Sequence, residues 1–350
     1  MSLVSCMTNY AFPVIVSDLA ITSTDESVPI VIPIINRPYH PSDFPYGRAP
    51  VEFSVKTVII KDKLVVGFIG NVSQIVKMKG DIQDYFMHRE VTLETMQALF
   101  TDTDLKEKYD RADAIFIFTY VEDEKKMVQV IKTGDWLKNE DATCEVIISG
   151  GTGRYKWEKF FLEQAKYLDN GPMVNPTNGL EKALITAMYF LSEQFESPDT
   201  LQDGWGGGFD IIYLKDDVFK RLDNVSYIFW KVDKLREQFN LTPISILRCS
   251  YLNGKFYIQH FNGVNKVYPI AEVGIDEHAS EMQDIFHYST RIAVSCIYLY
   301  EGTERKSRLF SINHSHNEQP IVFSQVVDGK LAFAFATSFQ DELMKAMMGQ

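Results

Sequence analysis

The residue with the most direct chemical potential is Ser2, immediately behind the initiator methionine. Serine is small enough for methionine aminopeptidase to expose it, and an N-terminal serine joins a nucleophile and a base in one residue. Its hydroxyl can attack a carbonyl while its own α-amino group, with an ordinary pKa of about 8, takes the proton near neutral pH. Serine is also a common second residue in proteins without such chemistry, so the reading depends on what accompanies it. Other groups offer less. His314-Ser-His316 sets two imidazoles on one strand face, but no cysteine or acidic third ligand lies close by in the chain, and surface histidines explain the pair. Cys6 would become an N-terminal nucleophile only after the residues before it were removed, and it reads as a core strand residue. Ser149-Gly-Gly-Thr-Gly153 has the glycine density of a phosphate loop without the Gly-Lys-Ser/Thr ending. Glu122-Asp-Glu-Lys-Lys126 reads as a solvated hairpin turn.

Composition narrows the setting for that chemistry. The 350 residues carry 47 acids against 35 bases, a net charge of −12. A nucleic-acid binder draws affinity from neutralising phosphates, so this balance argues against one, and equally against docking on an anionic membrane. The apolar fraction of 45% and charged fraction of 23% are those of a globular protein. The length fits two domains of roughly 100–200 residues each. The apolar run Val28-Pro-Ile-Val-Ile-Pro-Ile-Ile35 is broken by prolines and far shorter than the roughly 20 residues of a membrane span. No signal peptide is expected. Cys6, Cys144, Cys249 and Cys296 are scattered and form no CxxC pair, which predicts reduced, buried thiols in a cytoplasmic protein with no zinc site. No metal or other cofactor is called for.

The elements that must position Ser2 begin at once. Leu3 to Met7 and Val14 to Ser23 alternate as a hairpin around an Asn9-Tyr-Ala-Phe-Pro13 turn. Pro33, Pro38, Pro41, Pro45 and Pro50 then mark an irregular loop. Strands are predicted over 53–60 and 64–69, joined by a tight turn at Lys61-Asp-Lys63. After Gly70 the period changes to about 3.6, with Val72, Ile75, Val76, Ile82, Tyr85 and Phe86 on one helical face. A second helix is predicted over 92–108, capped by Thr92 with Thr95 at the capping-box position. Strands at 114–121, 127–132 and 144–149, helices at 154–168 and 178–195, and a strand at 209–214 follow. Strands and helices are grouped and do not alternate singly, which predicts an α+β protein with two sheets between helix layers, not a Rossmann or TIM arrangement. Beyond about 240 the chain is strand-rich and closes with a short helix near 338–347. The division expected is a first domain over 1–240 and a β-rich region over 241–350.

Set in that order, the blocks resemble proteasome β-subunits and the related HslV peptidase, members of the N-terminal nucleophile hydrolase superfamily. Val14-Ile-Val-Ser-Asp18-Leu-Ala-Ile-Thr22 resembles the family's second strand, with Asp18 sixteen residues after Ser2 as in the family. Val55-Lys56-Thr-Val-Ile-Ile-Lys-Asp-Lys-Leu-Val-Val-Gly67-Phe-Ile-Gly70 resembles its lysine-bearing and glycine-flanked strands. Ala114-Ile-Phe-Ile-Phe118 and Met127 to Lys132 resemble its central strand pair. Ile147-Ile-Ser-Gly-Gly-Thr-Gly153 resembles the Gly-Ser-Gly turn before its third helix. Asp203-Gly-Trp-Gly-Gly-Gly208 resembles its Asp-x-x-Ser-Gly-Gly turn. The likeness covers about 2–235.

The resemblance implies a four-layer αββα sandwich and a division of labour. Ser2 would be the nucleophile with its α-amino group as base. Lys56 would lie beside it as an ammonium, Asp18 would hold that lysine, and the Gly70 N–H would stabilise the oxyanion. Ser149 and Asp203 would orient the terminus. Thr22 would pair with substrate backbone, with Phe68 and Val72 completing the substrate site. A peptide or unfolded-protein substrate, a homo-oligomeric ring and an ATPase partner are implied as well. The chain departs from the family in using serine for threonine, in the 38 positions between Asp18 and Lys56, and in Gly206 where the family has serine. Alignment from Gly70 selects Lys56, whereas Val-Lys-Thr-Val matched to the family's Val-Lys-Lys-Val selects Thr57, and a one-residue slip would turn the lysine away. A non-catalytic structural or interaction protein on the same fold is the alternative reading, and a small-amide hydrolase a third.

Overall fold

The computed structural model describes residues 2–348 except 9–12, 24–29, 33–36, 40–48, 104, 123, 141–145, 165–177, 198–200, 202, 236–237, 253, 263–264, 275–288, 316–318 and 328–329. The chain opens with β1 (Leu3–Thr8), which pairs antiparallel with β2 (Val14–Asp18), placing Cys6 opposite Ile15. These strands are buried on both faces. Around them forms a six-stranded sheet in the order β11 (Leu137–Glu140), β12 (Val146–Gly151), β1, β2, β13 (Phe209–Lys215) and β14 (Val218–Arg221).

A second sheet runs β10 (Lys125–Lys132), β9 (Ala112–Glu122), β8 (Leu64–Gly70) and β7 (Thr57–Ile60). Val4, Cys6, Ile15 and Ile212 of the first sheet meet Val65, Ile69, Ile115 and Ile117 of the second in one buried cluster. The other face of the first sheet packs on α4 (Arg154–Leu162) and α5 (Gly179–Glu196), through Leu3, Met7, Trp157 and Met188. The other face of the second packs on α1 (Val72–Met87), α2 (Leu93–Asp102) and α3 (Leu105–Lys108). The protein is α+β.

The helices arise where cap and period agree. Asn71 caps α1 by accepting the Gln74 N–H, and Ile75, Met78, Ile82 and Phe86 are buried on its inner face. Thr92 and Thr95 close the expected capping box of α2. The single helix predicted over 92–108 is interrupted, because Thr103 turns its N–H and hydroxyl back to the Leu99 carbonyl and ends α2. Asn178 caps α5 through the Glu181 N–H.

Two local expectations are corrected. The proline-rich stretch, read as irregular loop, contains a small hairpin of β4 (Ile30–Ile32) and β5 (Arg37–Tyr39), with Pro38 inside β5. The single strand predicted over 53–60 is broken at Lys56: β6 (Ala49–Val55) and β7 belong to different sheets. A run that is apolar on both faces gives no sequence sign of where it changes partners.

β6 enters an eight-stranded sheet in the order β21 (Glu304–His314), β20 (Ile292–Glu301), β15 (Asn224–Leu235), β16 (Gln238–Leu252), β17 (Lys255–Phe261), β18 (Asn265–Glu272), β6 and β3 (Ala20–Ser23). Position 240 therefore lies inside β16, and the strand-rich C-terminal region shares a sheet with β3 and β6. One face of this sheet joins the core around α5 through Tyr227, Phe229, Leu247 and Ile258. The opposite face, through Trp230 and Ile297, covers β22 (Val322–Val327), β23 (Lys330–Phe335) and α6 (Thr337–Met348), where Trp230 meets Phe335 and Phe339. No helix among the described residues is long and apolar enough to cross a membrane. Cys6, Cys249 and Cys296 are buried and free, and burial raises all three thiols, Cys249 and Cys296 to about 12. Cys144 lies outside the described residues.

His260 on β17 supplies a pH prediction. It is fully buried, its Nε2 lies 2.7 Å from Ser245 Oγ, and its Nδ1 has no partner among the described residues. Burial, with the Lys266 charge adding to it, pushes the imidazole down to about 4. The unfolded chain takes up this proton at about 6.5, so the stability tied to neutral His260 is complete above that pH. It is lost as pH falls from about 6.5 to 4, by about 3 kcal/mol in all. Urea unfolding at pH 7.5 and pH 4.5 should show this loss in the parent and a smaller one in His260→Gln. Equal pH dependence in both would contradict the assignment.

Candidate active site

Asp18 and Lys56 both stand where a strand leaves one sheet for another. Asp18 ends β2 just before Leu19 hands the chain to β3, and Lys56 occupies the break between β6 and β7. Both are buried, the lysine 1% exposed and the aspartate 0%. Lys56 Nζ donates to Asp18 Oδ1 at 2.6 Å and to the Ala20 carbonyl at 2.7 Å. The same Oδ1 accepts the Leu3 N–H at 2.7 Å, and Oδ2 accepts the Gly206 N–H at 2.9 Å. One carboxylate thus ties the peptide after Ser2 to the lysine and to the glycine-rich turn. Burial lowers the Lys56 pKa, while the charge and hydrogen bond of Asp18 oppose that shift. Of the two alignments the sequence left open, the lysine at 56 is the one brought to Asp18.

Ser2 is 4% exposed, and its Oγ has no hydrogen-bond partner among the described residues. The Ser2 carbonyl accepts the Gly153 N–H at 3.4 Å. Gly151 packs directly under it, with φ +89 and space for no side chain: a Cβ there would fall 1.9 Å from the Ser2 oxygen.

The remaining sequence-derived candidates separate. Gly70 ends β8 at φ +114 and leads into the α1 cap, with the Arg111 carbonyl where a Cβ would be. β8 crosses β1 at Gly67, where a Cβ would strike Val4. The Phe68 N–H donates to the Lys56 carbonyl at 3.0 Å, but the Phe68 side chain is wholly buried in the helix-backed core and presents no surface to a substrate. Val72, at the start of α1, is 36% exposed. Thr22 lies on β3, the end strand of its sheet, opposite Pro50.

Ser149 and Asp203 have other partners. Ser149 Oγ lies 2.8 Å from Ser5 Oγ, and the buried Glu158 carboxyl, whose pKa burial raises, accepts from Asn139. Asp203 is paired with Lys156 on α4. The β1–β12 register sets Ser5 against Ser149 and Leu3 against Gly151, where β12 ends, and beyond it the Gly153 N–H meets the Ser2 carbonyl. Gly206 was read in the sequence as a missing serine, whereas its backbone N–H is a ligand of Asp18. Its signal in the sequence was the run of three glycines, since φ of +119, +79 and +135 at 206–208 are conformations glycine adopts freely. No group of three or more His, Cys, Asp or Glu residues among the described residues could hold a metal ion. His314 is 3.7 Å from Glu181, and His316 lies outside the described residues.

Chemically, the arrangement joins a buried ammonium and its carboxylate to the peptide N–H that follows a buried serine hydroxyl. Comparison with known proteins adds little to this. No protein-family model and no curated protein matches the chain. Among solved structures, the crystal structure of eukaryotic HslV from Trypanosoma brucei aligns with 13% identity and a TM-score of 0.33, over 61% of this chain and 99% of that one. A likeness of that size leaves the site to be read from its own geometry.

Proposed function

We propose that this protein is an N-terminal serine amidohydrolase that cleaves peptide bonds, on a four-layer αββα core of the proteasome-like kind. The observation carrying the reading is the single Asp18 oxygen that bonds both Lys56 Nζ and the Leu3 N–H beside the unpaired Ser2 hydroxyl. With Met1 removed, the Ser2 amine takes the hydroxyl proton as Oγ attacks the scissile carbonyl. The Lys56 ammonium keeps that amine neutral by electrostatic repulsion, and the backbone N–H of Gly70 receives the developing oxyanion. Collapse of the tetrahedral adduct breaks the C–N bond, the leaving amine takes the proton, and water then hydrolyses the acyl-serine ester with the same amine as base.

The substrate would be added as a strand beside Thr22 on β3, the end strand of its sheet among the described residues, with Val72 exposed at the start of α1. A ring of copies and an ATPase that feeds unfolded chains belong to the same proposal. The competing reading, a non-catalytic interaction protein, draws support from the near-complete burial of Ser2.

The test is covalent labelling. Intact-mass analysis should give a mature chain beginning at Ser2. A peptidyl epoxyketone should add to the N-terminal peptide of the parent and not to that of Ser2→Ala. Retained Met1, or equal labelling of both proteins, would sink the enzymatic reading in favour of the interaction protein.

A further inference from the structure

β7 carries apolar side chains on both faces: Val58 and Ile60 are buried in the core under α1 and α2, while Ile59, partly buried, packs between the sheets on the face it shares with Thr57. Hydrophobic pattern alone therefore does not choose the register of this strand, and a slip by one residue would exchange its faces at little cost in burial. Something else must set it. A buried polar cluster does so one residue after Lys56. Arg221 on β14 donates from Nη1 to Thr57 Oγ1 at 2.8 Å and from Nη2 to the Thr57 carbonyl at 2.7 Å. Nη1 also pairs with Asp210 on β13 at 2.5 Å, and Thr57 Oγ1 donates to the same Asp210 oxygen at 2.5 Å. Asp210 is 1% exposed and Arg221 12%.

The C-terminal region completes the cluster. Glu272, at the end of β18, lies 3.9 Å from Arg221 Nη2 and pairs with Lys79 of α1 at 2.8 Å. Beside it, the Val273 N–H donates to the Val55 carbonyl at 3.0 Å, and Ser54 Oγ to the Ala271 carbonyl at 3.0 Å. The backbone on both sides of Lys56 is thereby held, Val55 by β18 and Thr57 by Arg221. The second oxygen of Asp210 has no partner among the described residues. Buried ion pairs are often no more stable than apolar replacements, and specifying register is the best-attested reason to keep one.

We propose that Arg221, held by Asp210 and Glu272, is a positioning residue that fixes the 55–57 strand break so that Lys56 faces Asp18. A shifted strand would bring the lysine ammonium to the guanidinium and leave Asp18 without its partner. The importance of this device for catalysis rests on the reading of Lys56 given above, but the positioning itself does not.

Two measurements separate those claims. The first is reductive methylation of the folded protein, mapped by peptide mass. Lys56 should resist it in the parent and react about tenfold faster in Arg221→Gln, with exposed Lys63 unchanged as an internal reference. Arg221→Lys keeps the charge but not the two-pronged bond, and should give intermediate protection. Thr57→Val, nearly the same in shape, should loosen Lys56 too and carries the test if Arg221→Gln does not fold. The second is the acid limb of epoxyketone labelling at Ser2. Its midpoint should move up by about one pH unit as the ammonium withdraws from the amine, a shift that mere loss of stability would not produce. Unchanged Lys56 protection in folded Arg221→Gln and Thr57→Val would overturn the proposal. Lost protection in a protein that never labels at Ser2 would uphold the positioning and refute the enzymatic reading.

Discussion

Lys56→Met should cost about 3–5 kcal/mol of folding stability and abolish covalent labelling at Ser2. Methionine matches the length of the lysine stem, so the loss comes from charge and hydrogen bonding more than from volume. The partner left behind is Asp18, with no exposure to water and with one oxygen still bonded to the Leu3 N–H. A buried carboxylate without its cation is among the costliest defects a core can hold, and the Ala20 carbonyl also loses its donor. The double variant Lys56→Met with Asp18→Asn should recover part of the stability, because the amide is uncharged and its oxygen can still accept from Leu3, while its NH2 is left facing the Gly206 N–H. It should recover none of the labelling, since the ammonium is absent. Urea unfolding of the four proteins in this cycle measures both terms. A single-variant loss below about 1 kcal/mol would show that the pair is not buried as described.

Gly151→Ala should be the most damaging of the glycine substitutions near the terminus. At φ +89 any side chain is strained, which costs about 1–3 kcal/mol. The added Cβ would also stand 1.9 Å from the Ser2 carbonyl oxygen, a backbone atom with nowhere to rotate. The terminus must then move away from Lys56 or β12 must separate from β1. A displacement of about 1 Å at a reacting group costs on the order of a hundredfold in rate, so labelling at Ser2 should fall by at least about that factor. Gly254→Ala is the control: its φ of +79 carries similar strain, but nothing lies within 4 Å of the added Cβ. The difference between the two variants in unfolding free energy reads the contact with Ser2 alone. Equal stability losses with labelling retained in Gly151→Ala would mean that the terminus is held elsewhere.

The parts of this protein legible in its residues are those fixed by neighbours in the chain. The β1–β2 hairpin follows from alternation around a turn, and the spacing that puts Asp18 under the terminus follows from the hairpin: the Leu3 N–H meets a residue fifteen positions on. The starts of α1, α2 and α5 follow from Asn71, Thr92 and Asn178, whose side chains satisfy backbone donors within three residues. The choice of Lys56 over Thr57 was open in the chain because both alignments match equally well. It closes only where Arg221 and Asp210, from strands more than 150 residues later, take Thr57 to the other side.

The same division holds for the rest of the candidate site. The chain leaves open what Ser149 meets, and pairing of β12 with β1 gives it to Ser5. The C-terminal region looked separable because it is strand-rich and lies beyond the stretch, about 2–235, that carries the family likeness. Its β18 nevertheless extends the sheet of β3 and β6 and braces the lysine's strand, since an unpaired β6 edge buried beside Asp18 would leave backbone groups without partners. Capping, turn and alternation are decided over a few residues by backbone chemistry. Register, sheet membership and the side to which a buried charge turns are decided by atoms that the chain brings together only after it has folded.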